Sequence, residues 1–193
     1  MALRAKFMRY GWISIGIVFV DHFYSIRVVS GSSMQPTLNP IDSRWRDFVL
    51  FDKLSIGGYG VYRRGDIVSF KSPNNAGPLL VKRIVALEGD VIQTMPPYPD
   101  KEVTIPTGHV WVEGDDWRSR DSNHFGPIPL ALIDAKLSWI LWPLSRLGPI
   151  DRVNIRPSQT SGHAWRPADI WKSKSARLKI GHLKDNWRPN DAQ

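Results

Sequence analysis

The chain has 193 residues, of which 42% are hydrophobic, and it carries 26 Lys+Arg against 18 Asp+Glu, a formal net charge of +8. This length accommodates one domain of ordinary size with tails, and the apolar fraction is sufficient for a packed core. Because the chain contains no cysteine, disulfide scaffolds, thiolate metal sites, iron–sulfur clusters and cysteine nucleophiles are excluded.

The basic charge lies at the two ends of the chain. Residues 1–40 carry +3, residues 41–150 are neutral, and residues 151–193 carry +5. A nucleic-acid groove requires lysine and arginine on the folded body, interleaved with stacking aromatic residues. The charge distribution therefore predicts no nucleic-acid partner.

The first predicted element is a marginal membrane anchor. An uncharged, mostly apolar run over residues 10–20 follows three basic residues. It is shorter than the ~20 residues of a spanning helix, so a span over residues 8–24 must carry Asp21 and His22 near the interface. The alternatives are a buried helix and a cleavable signal peptide, although no small-residue cleavage site follows. The basic flank places the N-terminus of a retained anchor on the cytoplasmic or matrix side and the rest across the membrane, in contact with lipid.

A serine-rich turn at residues 30–38 is the first candidate for catalysis. Its small residues allow a tight turn and Pro36 fixes φ, so a hydroxyl can lie beside free N–H groups. The same composition is common in ordinary loops. A serine nucleophile also requires a base, and His109 and His124 stand in no distinctive setting.

Seven short apolar or alternating segments predict β-strands in the middle of the chain. They are rich in Val, Ile, Phe and Trp, and turn-forming Gly and Pro separate them. The segments are 48–51, 66–70, 79–87, 90–95, 102–105, 109–114 and 136–142. Because no amphipathic helices intervene, we predict a mainly β fold with an antiparallel sheet. The five histidines are scattered, and we predict neither a metal site nor a cofactor.

Lys82 is a stronger candidate for the base, because it interrupts the apolar run 79–87. Strand alternation places it on the same face as Leu80 and Ile84. Burial among aliphatic side chains lowers the pKa of a lysine, and a neutral amine can accept a proton from a serine hydroxyl. The alternative is a surface lysine on a half-exposed strand, and the spacing alone leaves both possibilities open.

The chain changes character after Pro149. A run rich in helix and strand breakers at 157–162 predicts a linker, and the residues beyond it predict a basic, poorly ordered tail. Within this tail, residues 168–183 could form a basic amphipathic helix on anionic lipid. The alternative is a solvated tail with little function.

Four boxes in this sequence resemble the type I signal peptidases, a family of membrane-anchored serine–lysine proteases. Their order and spacing match the family over about residues 5–147. The boxes are Gly31-x-Ser33-Met34-x-Pro36-Thr37-Leu38, Arg64-Gly65-Asp66-Ile67-Val68, Lys82-Arg83-Ile84-x-Ala86-Leu87-x-Gly89-Asp90, and Gly114-Asp115 with Ser119-x-Asp121-Ser122-x-x-x-Gly126-Pro127. The resemblance implies a serine endopeptidase with a signal-peptidase-type antiparallel β domain and an N-terminal anchor helix. The implied division is an anchor at 1–27, a peptidase domain at 28–147 and the tail at 148–193.

The resemblance also implies roles for individual residues. It makes Ser33 the nucleophile, Lys82 the general base and Ser119 the residue that orients the lysine. The supporting residues are Asp121, Gly31 and Met34.

Three departures from the family pattern bear on these roles. Gly31 stands where some bacterial members have a serine that donates to the oxyanion, and the loop before Ser119 is one residue shorter than usual. Asn123 replaces a family arginine, which removes the predicted ion-pair partner of Asp121.

Within the family, several features resemble the mitochondrial inner-membrane members of the subunit 2 type. They are Asn39-Pro40, residues 110–115, residues 121–127 with Asn123, and residues 140–146. The resemblance implies removal of sorting presequences from precursors delivered to the intermembrane space. It also implies an inner-membrane location with the domain facing that space, and pairing with a related subunit 1 peptidase.

Three alternatives to this function stay open at this point. The chain could be a bacterial-type signal peptidase, or a catalytically silent, membrane-anchored assembly subunit of the same complex. A self-cleaving repressor with the same dyad would need a DNA-reading module ahead of Ser33, and the apolar run there is a poor fit to one.

Overall fold

The computed structural model describes residues 22–41, 43–56, 61–74, 77–150 and 167–181. Within these ranges the chain is mainly β, as predicted. The strands are β1 (Tyr24–Val28), β2 (Phe48–Asp52), β3 (Ile67–Phe70), β4 (Leu80–Ala86), β5 (Val91–Gln93), β6 (Glu102–Thr104), β7 (His109–Glu113), β8 (Ile128–Pro129), β9 (Ile133–Trp142), β10 (Gly148–Pro149) and β11 (Leu178–Lys179). The α-helices are α1 (Ser122–Phe125) and α2 (Pro167–Ser175), and 3₁₀ turns cover Leu130–Leu132 and Leu144–Arg146.

The strands form two antiparallel sheets. The larger has the order β1-β2-β9-β3-β4-β7-β8, with β10 paired to β9, and the smaller has the order β11-β5-β6. All seven predicted segments are strands. Strand β9 begins three residues earlier than predicted, because Asp134 and Lys136 alternate there with the buried Ile133 and Ala135.

Strand β1 was not predicted, and it begins inside the segment assigned to the anchor. Its apolar residues Ile26 and Val28 are exposed, and Arg27 forms an ion pair with Asp134 near the start of β9. Strand β1 therefore shows neither the buried apolar face of a core-facing strand nor the uncharged run of a membrane span. The predicted span over residues 8–24 lies almost entirely outside the described residues. Among the described residues, no helix has the length and apolarity needed to cross a membrane.

The core supports the serine-rich turn from below. One cluster of buried side chains joins that turn to β2, β3 and β9; it includes Met34 and Leu38, which are 2% and 1% exposed. A second cluster lies between β3, β4 and β7 and includes Ile84, and a third joins β4 and β7 to the small sheet around Trp111. The elements that carry residues 30–38 and 79–87 are thus held by continuous packing.

Residues 167–181, here called the C-terminal segment, correct the prediction of a poorly ordered tail. Helix α2 ends at Ser175 rather than near residue 183, and β11 then pairs with β5. The segment is held because Ile170 is buried and the Gly181 N–H donates to the carboxylate of Asp90 at 2.8 Å. The rest of the predicted tail, except for residues 148–150, lies outside the described residues.

Candidate active site

The serine-rich turn presents Ser33 at the end of β1. The Gln35 N–H donates to the Ser32 carbonyl at 2.9 Å, and the Leu38 N–H donates to the Met34 carbonyl at 2.8 Å. Gly31 has a φ of +94°, a conformation that favours glycine over any residue with a Cβ. Ser33 is half-buried, so its hydroxyl remains accessible above the anchored Met34. Gly31 and Met34 therefore act through backbone conformation and packing.

Asn39 braces this turn from its far end, a role that the sequence did not reveal. Its side-chain amide donates to the Val29 carbonyl at 2.8 Å and accepts from the Asp47 N–H at 2.8 Å, while its own N–H donates to Asp47 Oδ2. Asn39 has a φ of +49°, which asparagine tolerates better than most residues. The buried Arg146 adds a hydrogen bond to the Thr37 carbonyl at 2.6 Å.

Lys82 lies on β4 and is only 3% exposed, which excludes the alternative of a surface lysine on a half-exposed strand. Leu80 and Ile84, two residues to either side, pack in one core cluster. Burial lowers the pKa of Lys82 from 10.5 to about 8; nearby carboxylates oppose this effect and Lys174 adds to it. Within the described residues, the Lys82 amine has no hydrogen-bond partner. At this pKa about a tenth of the molecules carry a neutral amine at pH 7, compared with fewer than about one in a thousand for an ordinary lysine.

The loop of residues 114–121, here called the site loop, touches the serine-rich turn at Gly114. That turn carries the candidate nucleophile Ser33 and is also called the nucleophile turn below. A Cβ on Gly114 would clash with Ser119 Oγ and would lie 2.5 Å from the Ser33 carbonyl oxygen. The Asp116 N–H donates to that same Ser33 carbonyl at 3.1 Å. Ser119 Oγ is buried and has no hydrogen-bond partner among the residues that the structure describes. A buried, unpaired hydroxyl beside Ser33 suits the lysine-orienting role predicted for Ser119.

Asp121 holds the other end of this loop. Its carboxylate accepts from the Gly114 N–H at 3.0 Å and from the backbone and side-chain amides of Asn123, both at 3.1 Å, while it caps helix α1. Asp121 is also a charged neighbour of Lys82, together with Asp115 and Asp116. The structure therefore brings Ser33, Ser119 and Asp121 into one constellation with the buried lysine.

No hydrogen bond joins Ser33 Oγ to Lys82 Nζ in the part of the chain that the structure describes. Hydrogen bonds between catalytic groups are often long before substrate binds. The Ser33 N–H likewise has no protein acceptor among the described residues, which leaves it available to an oxyanion. Those residues also contain no group of three or more His, Asp or Glu side chains arranged to hold a metal ion.

Arg83 is a buried residue of β4 that connects the site loop, the Gly65 turn and the serine-rich turn by hydrogen bonds. Sequence analysis did not single it out. Its guanidinium donates twice to Asp115, at 3.0 and 2.6 Å, and once to the Gly65 carbonyl at 2.9 Å. It also lies 3.4 Å from the hydroxyl of Thr37 in the serine turn. Burial opposes ionisation of Asp115, but the Arg83 cation outweighs it and holds the pKa of Asp115 below its usual value.

Asn123 joins two carboxylates where the family pattern predicts an arginine. Its side-chain NH₂ donates to Asp121 and to Glu113 Oε1, both at 3.1 Å. Lys174 and Arg177 of the C-terminal segment pair with the other Glu113 oxygen, at 2.9 and 2.5 Å. Burial raises the pKa of Glu113, but the two cations outweigh burial and hold it at about 2. The positive charge at this position thus comes from a different part of the chain.

Substituting Gly114 by alanine should damage both fold and activity. The added Cβ must displace Ser119 or the Ser33 backbone. We expect a loss of about 1–3 kcal/mol in the free energy of unfolding, typical of overpacking. Moving the nucleophile should also lower kcat/KM about tenfold or more.

Thermal unfolding and peptide cleavage measured on Gly114→Ala test this expectation. Gly77→Ala is the matched control, since a Cβ there meets nothing within 4 Å. Equal unfolding temperatures and equal rates for the two variants would show that the contact around Gly114 is not tight.

Comparison with known proteins finds a matching family model and several similar sequences. A model of the family "Signal peptidase, peptidase S26" matches residues 4–96. Mitochondrial inner membrane protease subunit 2 of Mus musculus is 42% identical over 142 residues, which is 73% of this chain and 80% of the relative. The same subunit of Saccharomyces cerevisiae is 40% identical over 148 residues, 76% of this chain and 84% of the relative.

Two further similarities cover less of the chain. Mitochondrial inner membrane protease subunit 1 of Mus musculus is 42% identical over 131 residues, 66% of this chain and 75% of the relative. A crystal structure of a signal peptidase I from Enterococcus faecalis V583 is 24% identical, covers 38% of this chain and 93% of that one, and has a TM-score of 0.32.

Proposed function

The chain belongs to the peptidase S26 family of signal peptidases and is a serine endopeptidase, and we propose that Ser33 is its nucleophile and Lys82 its general base. The observation that carries this assignment is Lys82 itself, a 3% exposed lysine whose pKa is lowered to about 8 by burial. Its charged neighbours Asp115, Asp116 and Asp121 lie in the loop that touches the Ser33 turn at Gly114. A surface lysine would be protonated at neutral pH and could not accept a proton.

The proposed reaction is acyl transfer through a covalent intermediate. Ser33 Oγ attacks the scissile carbonyl carbon while Lys82 Nζ takes the hydroxyl proton, and the Ser33 N–H stabilises the oxyanion. The C–N bond then breaks as Lys82 returns this proton to the leaving amine. Lys82 next deprotonates a water molecule, whose oxygen attacks the carbonyl carbon of the acyl-enzyme. The ester C–O bond then breaks as Lys82 returns the proton to Ser33 Oγ, which restores the free enzyme. Ser119, with its unpaired hydroxyl, orients the lysine amine.

Two free strand edges favour an extended peptide as substrate. Strand β1 lies at the edge of the large sheet, and β7 pairs with β4 only from Arg83 onward. In the described structure, residues 80–82 therefore have a strand neighbour on one side alone, that of β3. An extended chain could add as a strand beside either edge with main-chain hydrogen bonds, which require little of its sequence.

The biological substrates we propose are precursors carrying sorting presequences. The relatives are mitochondrial inner membrane proteases, and two subunit types are among them. We assign this chain to the same membrane, with its peptidase domain on the intermembrane side and a related catalytic subunit as its partner. The basic residues ahead of the apolar run support this orientation.

The test of this function is cleavage of a presequence peptide by the purified full-length chain, with and without an acylating serine inhibitor. We expect the wild-type chain to cleave the peptide and to become labelled at Ser33. Ser33→Ala should lose both, with a fall in kcat of about 10³-fold or more. Ser32→Ala is the matched control and should keep both. Full activity in Ser33→Ala, or labelling at another residue, would overturn the assignment.

A further inference from the structure

The C-terminal segment reaches the active site through one side chain, that of Lys174. This lysine is 8% exposed, and its amine donates to Glu113 Oε2 at 2.9 Å and to the Gly114 carbonyl at 2.8 Å. Lysines in a basic tail are ordinarily solvated, so a buried one with two specific acceptors requires an explanation. Lys172, on the same helix, is exposed and shows the ordinary behaviour.

The contact with Gly114 lies directly behind the catalytic constellation. Gly114 is fixed on three sides: its N–H by Asp121, its Cα by Ser33 and Ser119, and its carbonyl by Lys174. Of these three restraints, the bond from Lys174 comes from outside the catalytic boxes. Loss of that bond would release the point at which the site loop touches the nucleophile turn.

The segment has independent anchors, so Lys174 need not serve to hold it in place. Strand β11 pairs with β5, and Arg177 binds both the Gln93 carbonyl and Glu113. The Gly181 N–H is held by Asp90. These contacts fix the helix against the small sheet and bring Lys174 to Gly114 with a defined geometry.

We propose that Lys174 is a positioning residue for the cleavage reaction, through which the C-terminal segment holds Gly114, and with it Ser33 and Ser119, in the geometry that catalysis requires. This inference rests on the function proposed above. It gives the segment a direct part in catalysis in addition to any role in folding.

Charge provides a second route from Lys174 to the reaction. The charged groups facing Lys82 are Asp115 and Asp116 of the loop after β7, Asp121 at the cap of α1, and Lys174 of α2. Burial is the main cause of the lowered pKa of Lys82; the three carboxylates raise that pKa and Lys174 lowers it. Removing the Lys174 cation should therefore raise the pKa of the base and leave less of it neutral at pH 7.

The test compares Lys174→Met, Lys174→Arg and Lys172→Met in the full-length chain, with kcat and KM measured from pH 6 to pH 10. We expect Lys174→Met to lower kcat at pH 7 about tenfold with little change in KM, and to move the rising limb of the pH profile to higher pH. Lys174→Arg keeps the cation and should restore most of the rate. Lys172→Met should match the wild type.

A purely structural role would lower the unfolding temperature of Lys174→Met and leave kcat and the pH limb of the folded enzyme unchanged; that result would overturn the proposal. If Lys174→Met does not fold, the double variant Lys174→Met/Glu113→Gln removes the charges of both partners together. It should fold, since Arg177 loses its Glu113 partner but retains its bond to the Gln93 carbonyl. It should keep the low kcat because Gly114 is still released. The limb should still move upward, because the Lys174 cation is gone and Glu113 is not among the charges that face Lys82. Wild-type kcat in the double variant would equally overturn the proposal.

These outcomes are distinct from those that test the proposed function. If the wild-type chain fails to cleave the peptide, or if Ser33→Ala cleaves it, the assignment of the nucleophile fails. An active wild type, an inactive Ser33→Ala and an unaltered Lys174→Met would leave that assignment intact and overturn only the role of Lys174.

Discussion

Lys82→Met should abolish cleavage while the chain remains folded. Methionine approximates the shape of the lysine stem and suits its apolar neighbours Leu80 and Ile84, so the core loses little packing. The variant has no group at this position to accept the Ser33 proton. Loss of a general base costs about 10²–10⁴-fold in rate, and we expect kcat to fall within or beyond that range. Cleavage of a presequence peptide, with circular dichroism to verify folding, measures the effect.

Two companion variants sharpen this result. Lys82→Arg keeps a positive charge, but a guanidinium does not lose its proton near neutral pH, so this variant should be as inactive as Lys82→Met. Lys71→Met alters an exposed lysine at the end of β3 and should retain wild-type activity. Activity in either Lys82 variant within tenfold of the wild type would assign the base to another residue.

The wild-type enzyme should show the matching pH dependence. The reaction requires neutral Lys82, whose pKa is lowered from 10.5 to about 8, mainly by burial. Below that pKa the neutral fraction rises about tenfold for each pH unit, so kcat/KM should climb from pH 6 and level off above about pH 8. An ordinary exposed lysine would place the plateau above pH 10. A rate independent of pH between 6 and 8 would contradict a lysine base.

The strands could be predicted because their signals are local. Burial alternates along β2 and β9 with a period of two, whereas β3 and most of β4 and β7 are continuous buried runs. The charge inside the apolar run 79–87 made Lys82 a candidate base, and the structure shows which of its two possible environments it has. Strand β1 was not predicted because it lies at the edge of the sheet. Ile26 is 65% exposed there, so the apolar residues of β1 do not all lie on one buried face. Periodicity identifies an element only where one of its faces is buried.

The supporting residues could not be predicted because their partners are distant in sequence. Glu113 and Lys174 stand 61 positions apart, and neither residue shows in its own neighbourhood that they form a buried pair. Asn123 illustrates the same limit. The sequence showed that Asn123 stands where the family pattern has an arginine. Only the fold shows that the Asn123 amide binds the carboxylates of Asp121 and Glu113, and that Lys174 of α2 supplies a positive charge to Glu113.

Arg83→Met should cause the largest loss of stability among these variants. The Arg83 and Asp115 side chains are 1% and 0% exposed, and their double hydrogen bond joins β4 to the site loop. Removing the guanidinium leaves a buried carboxylate without its partner, which typically costs about 3–5 kcal/mol. Urea unfolding of the variant should therefore show a much lower midpoint, and cleavage should fall with it.

The control is a pair of the same chemistry at the surface. Arg118 pairs with Asp116 at 3.1 Å, but its side chain is 61% exposed, so Arg118→Met should leave the urea midpoint almost unchanged. The double variant Arg83→Met/Asp115→Leu removes both buried charges and should recover part of the lost stability, because no unpaired carboxylate remains. It should stay poorly active, since Thr37 and Gly65 have still lost the group that ties the serine turn to β4. A loss in Arg83→Met no greater than in Arg118→Met would contradict the argument from burial.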